Sequence, residues 1–151
     1  MEDRYLFRGK RIDNGEWVEG MPFEIEGKTM MLIRDDENLL RTHYLDENMW
    51  NAEIYCVEVD PSTICQCTGL KDKGRNLIWE NDLVKDLFND TIAPIRYGSY
   101  QSCFDSTKTE HVGFYVDWSV TDKKYMRKDL GYWINMVDAK IVGSVIDNPK
   151  I

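Results

Sequence analysis

The sequence predicts a mainly β fold with at most one or two short helices. Apolar runs of strand length recur along the chain, several with period-two alternation, and Gly, Pro, Asn and Asp clusters separate them at close intervals. Only two short stretches, 46–50 and 123–130, are open to a helical reading.

Residues 5–10 alternate as a first strand, and Asp13-Asn14-Gly15 follows as a turn because Asn and Gly tolerate positive φ. Trp17 and Val18 open a second strand. The runs Phe23-Glu24-Ile25 and Met30-Met31-Leu32-Ile33 flank Glu26-Gly27-Lys28, a glycine-containing connector of hairpin length. Residues 35–51 have scattered apolar positions and no clean period. They are expected to be irregular, with a short helical turn at 46–50. The methionines Met30, Met31 and Met49 suit either core filling, their commoner use, or an adaptable binding surface.

Residues 52–59 alternate cleanly as a strand that Pro61 terminates. Residues 64–68 form the next, 69–74 have the composition of an exposed turn, and Leu77-Ile78-Trp79 and Leu83-Val84 flank a turn at Glu80-Asn81-Asp82. Further on, Pro94 confines 92–97 to an edge or a bulge. Cys103-Phe104 is a short apolar pair, 112–118 reads as a strand with a bend at Gly113, and Lys123 to Leu130 as a loop ended by Gly131. Tyr132 to Val137 and Lys140 to Ile146 read as a last strand pair joined by Asp138-Ala139.

A chain of 151 residues is of single-domain size and buries roughly 70% of its unfolded surface, enough to fold without staples. Hydrophobic residues make up 42% and charged residues 30%, a globular composition rather than a disordered one. No apolar run is long enough to span a bilayer, and the N-terminal residues lack a signal-peptide pattern, so the expectation is a cytoplasmic protein with no membrane partner.

The four cysteines, Cys56, Cys65, Cys67 and Cys103, fit neither bridges in a reducing compartment nor a zinc site. Cys65 and Cys67 are one residue apart, there is no second pair, and His43 and His111 are isolated. Neither a metal nor a cofactor is implied. The formal net charge is −8, with 14 acidic and 7 basic side chains in residues 1–58. That balance makes nucleic acid an improbable partner. The one basic cluster is Lys123, Lys124, Arg127 and Lys128, which would be the nucleic-acid contact if there were one, against the plainer reading of a solvated loop. Asp35-Asp36-Glu37 reads as a solvated loop rather than an acid/base or Mg²⁺ site. No catalytic constellation emerges from the chain.

Residues 59–85 carry a resemblance. Val59-Asp60-Pro61 with Thr63, then Thr68-Gly69-Leu70-Lys71-Asp72-Lys73, an apolar-aromatic pair, and Glu80-x-Asp82-Leu83-Val84-Lys85 are similar to the YopX family of phage and prophage proteins. Residues 7–18 resemble that family's opening and 141–149 its close, whereas 19–52 and 87–138 match weakly or not at all. Lys71-Asp72-Lys73-Gly74-Arg75 is one residue shorter than the usual family loop, and Glu80-Asn81-Asp82 stands where Glu-Gly-Asp is common. Asn is the best non-glycine occupant of a left-handed turn position, so the second change is tolerable.

The resemblance implies one YopX-like domain over 1–151, an acidic hairpin region at 1–52 followed by a small SH3-like β-barrel at 53–151. It also implies a phage or prophage origin, and no catalytic residues. Three roles follow from this reading: a noncatalytic module that binds a protein partner or forms a homo-oligomer, which the exposed strand edges and aromatic-rich turns favour; a nucleic-acid-associated SH3-like protein using Lys123–Lys128; and an acidic mimic of DNA that occupies a host protein.

Overall fold

A computed structural model describes residues 3–33, 41–46, 49–53, 56–88, 90–102, 107, 109–123 and 126–149, with backbone only for 41–46 and 49–53. Its strands are β1 (Phe7–Lys10), β2 (Trp17–Ile25), β3 (Lys28–Ile33), β4 (Arg41–Asp46), β5 (Met49–Glu53), β6 (Cys56–Glu58), β7 (Cys65–Lys71), β8 (Leu77–Trp79), β9 (Asp82–Lys85), β10 (Ile92–Tyr100), β11 (His111–Val116) and β12 (Lys140–Ser144), with one helix, α1 (Leu130–Asn135). The chain forms two compact units, Tyr5–Gln66 and Cys67–Ile151 with Met1–Arg4. The fold is mainly β.

In the unit Tyr5–Gln66 the antiparallel order is β6-β3-β2-β1, and the first residues of β7 pair with β1. The β2–β3 connection is the two-residue turn Glu26-Gly27, both at positive φ (51° and 75°), the twist that matches flanking strands. Its core is small: Leu6, Met31 and Val59 are buried, and Met31 and Val59 close over Gly9. Asp60 caps the short 3₁₀ turn Pro61–Thr63 by accepting from the Ser62 N–H. β4 and β5 pair as an antiparallel hairpin, so strand backbone occupies described residues 46, 49 and 50 where the sequence favoured a helical turn. An isolated helical turn forms few hydrogen bonds for the entropy it loses, and strand pairing satisfies more backbone.

In the C-terminal unit the order is β11-β10-β9-β12, and the later part of β7 pairs with β8. Val84, Ala93, Ile95 and Val116 face a core shared with Ile78, Trp118, Leu130, Trp133 and Ile134. Residues 69–71 remain in β7, and Gly69, at φ +78°, lies where the β7–β8 register shifts. An irregular strand end thus occupies part of the expected turn.

Pro94 sits in a central strand rather than at an edge. Its ladder contact is with Leu83 of β9, while pairing with β11 begins only at Ile95. The strand changes partner where a missing N–H matters least.

Residues 132–137, expected as a strand, lie mostly in α1. Leu130, Trp133 and Ile134 are its buried positions, the i, i+3, i+4 spacing of a helix face, and Gly131 lies inside the helix instead of ending the loop. The Ala139 N–H returns to the Trp133 carbonyl at 2.9 Å, and Asp138 adopts φ +57°, so this dipeptide closes a helix C-terminus rather than a hairpin. All ladders are open: no sheet closes on itself among the described residues, and the barrel expected from the resemblance is not seen as a closed structure. Cys103-Phe104 lies outside the described residues.

Candidate functional site

The sequence nominated Lys123, Lys124, Arg127 and Lys128. Lys124 lies outside the described residues, and the other three do not form one free basic face. Lys123 is exposed, its N–H donating to Thr121 Oγ1 at 3.0 Å. Arg127 is tied down: its Nε donates to Asp129 Oδ2 at 2.8 Å, and its guanidinium lies 4.5 Å from the Tyr132 ring centre. The Lys128 ammonium lies 5.7 Å from the Tyr115 ring centre, the loose end of cation–π range.

The backbone here is anchored as well. The indole N–H groups of Trp118 and Trp133 both donate to the Arg127 carbonyl, at 3.0 and 2.5 Å. The Val116 N–H donates to the Lys128 carbonyl at 2.8 Å. Burial pushes the Asp129 carboxyl up, but the hydrogen bond and charge of Arg127 outweigh it and hold the group below its ordinary range. Asp129 and the two tryptophans give the segment a structural job. They were missed because the pairing depends on where β11 and α1 lie.

A second feature is an aromatic row on one face of β10–β11. Tyr100 stacks on both His111 and Tyr115, with ring centres 5.3 and 5.1 Å apart. Gly98 and Gly113 are directly opposed, between the register pairs Tyr100–His111 and Arg96–Tyr115. Large rings crossing a glycine pair restore packing that the missing side chains would have supplied.

An alternating apolar surface lies on the other unit. Met21, Phe23 and Ile25 alternate along β2 and point to one face, 42%, 38% and 54% exposed. Register places Leu32 opposite Met21 and Met30 opposite Phe23, and Cys56 of β6 opposite Leu32. At one end of this face Lys28 and Glu58 neutralise one another at 3.1 Å, and at the other it continues into Glu19 and Trp17 of β2, with Arg8 and Lys10 of β1 opposite them. The result is an apolar strip with charged residues at both ends. The alternation from Met21 to Ile25 was visible in sequence, but nothing there says which face of a strand is left exposed by the other described residues.

The cysteines are dispersed in role: Cys65 and Cys67 are buried thiols and Cys56 is half-buried. Asp35-Asp36-Glu37 lies outside the described residues. No described helix is long and apolar enough to cross a membrane.

Beyond the chain itself, no curated protein and no solved structure matches. A family model described as YopX protein matches residues 6–151. That span covers nearly the whole sequence, including the segments 19–52 and 87–138 where the motif resemblance is weak, and the chain belongs to the YopX family.

Proposed function

We propose that this protein is a noncatalytic phage or prophage accessory module that acts in the bacterial cytoplasm through protein contact, with a second copy of itself as the first partner. The observation that carries this reading is the open face of Met21, Phe23, Ile25, Met30 and Leu32. Alternating exposed apolar residues of this size mark interaction surfaces more often than solvated ones, and methionines adapt to the opposing shape. A two-fold pairing sets this apolar strip against its own copy, so the contact needs no opposite charge on the partner. Commitment of Arg127 to Asp129 favours this reading over nucleic-acid binding.

The strand order β11-β10-β9-β12, followed after β11 by the 3₁₀ turn Trp118–Val120, supports an SH3-like relationship for the C-terminal unit in an open form.

Sedimentation velocity tests the assignment. The wild-type chain is expected to associate by about 100 μM, a concentration at which weak specific contacts register. Phe23→Glu should remain monomeric, and Val112→Glu, a change at a more exposed apolar position in the other unit, should behave as wild type. A wild-type chain that stays monomeric throughout rules the proposal out.

A further inference from the structure

On the face of β9–β10 turned away from the C-terminal unit's core lies a hollow of about 180 Å³ lined by Leu83, Ile92, Pro94, Arg96, Val120, Thr121 and Val145. Register explains the lining: Leu83 opposes Pro94 across the ladder, and Ile92, Pro94 and Arg96 follow at two-residue spacing on one face. Five of the seven residues are aliphatic. Thr121 offers little to a ligand, because its hydroxyl donates to the Trp118 carbonyl at 2.7 Å and accepts from the Lys123 N–H.

Arg96 is the exception. The residue is half-buried, one of its guanidinium nitrogens donates to Asn81 Oδ1, and no carboxylate pairs with it among the described residues. A cation drawn part-way out of water without a counter-charge is unfavourable, and an anion brought to it would relieve that. The volume is too small for a nucleotide or a drug-sized molecule and comparable to a cavity that holds a six-carbon ring.

We propose that this hollow binds an aliphatic carboxylate of about four to six carbons, the apolar walls enclosing the hydrocarbon and Arg96 receiving the carboxylate. The same chemistry is presented by a free branched-chain acid and by the C-terminal residue of a polypeptide ending in Leu or Ile. The site is separate from the self-association face and stands or falls independently of it.

The test is a titration of the full chain, followed by ¹H–¹⁵N chemical shifts, with 4-methylpentanoate, with N-acetyl-Ala-Leu, and with the C-terminal amide of that dipeptide. Saturable shifts at Leu83, Arg96 and Val145 with either carboxylate support the proposal, and which one binds more tightly identifies the source. The amide should bind at least about tenfold more weakly, the worth of one charge-assisted hydrogen bond. Arg96→Gln should cause a similar loss. Val120→Trp should cause one too by filling the hollow, and since Val120 is 63% exposed this variant keeps the fold. No shifts with either carboxylate at about 10 mM, beyond which affinity is negligible, would overturn the proposal, as would equal binding of acid and amide or undiminished binding by Val120→Trp.

Discussion

Asn81 holds Arg96. The asparagine sits at φ +65° in the turn between β8 and β9, and its side-chain oxygen accepts from the guanidinium on β10. Its own N–H donates to the Ile95 carbonyl and its carbonyl accepts from the Val145 N–H, at 2.9 and 2.8 Å. One turn residue thereby ties β10 to the segment after β12. A glycine could adopt the backbone but could not position the arginine.

Two substitutions at this position separate backbone from side chain. Asn81→Gly keeps the left-handed turn and loses the hydrogen bond, an expected loss of about 1 kcal/mol. Asn81→Ala loses the bond and adds left-handed strain of about 1–2 kcal/mol, so its unfolding midpoint in urea should be clearly lower than that of Asn81→Gly. Equal midpoints would contradict the turn's role.

Gly20 permits close approach of β2 and β3. A Cβ added there would lie 1.8 Å from the Leu32 carbonyl oxygen, a backbone atom that no side-chain rotation can move. Gly20→Ala should destabilise the N-terminal unit by about 2 kcal/mol or more. Hydrogen exchange is the suitable measurement, with lost protection centred on β2 and β3.

The Arg127–Asp129 pair predicts a specific acid response. Because the folded carboxyl titrates below its ordinary value of 3.8, the pair's contribution is present above that value and is lost as pH falls through the folded one. Asp129→Asn should therefore be less stable than wild type at neutral pH by about 1 kcal/mol or less, as befits a partly exposed pair. The gap should narrow once the pH drops below about 4. A gap unchanged down to pH 2 would remove the carboxylate's charge from the account.

How much of this was legible in the sequence depended on whether the controlling interaction was local. The Glu26-Gly27 connector, the strand end at Pro61 and the turn at Glu80-Asn81-Asp82 are set by neighbouring residues, and turn chemistry located them. Residues 132–137 were misread because Tyr132, Trp133 and Ile134 are good strand formers, and the burial of Leu130 with Trp133 and Ile134 that makes them helical is tertiary. Pro94 was misplaced because a strand that changes partner half-way has no local signature. The same limit applies to the binding surfaces. Met21, Phe23 and Ile25 could be placed on one face of a strand, but their exposure among the described residues emerges only when the elements are assembled. Arg96 carried no signal until Leu83, Val120 and Val145 were found around it.

Methionine methyl groups test self-association through the β2–β3 face most directly. With ¹³C-labelled methionine methyls, Met21 is 42% exposed and Met30 half-buried on the proposed contact face, Met31 is fully buried on the opposite face, and Met136 is 75% exposed in the other unit. The account predicts that the Met21 and Met30 resonances shift and broaden as protein concentration rises, while Met31 and Met136 stay constant. Resonances independent of concentration, or changes confined to Met136, would contradict it.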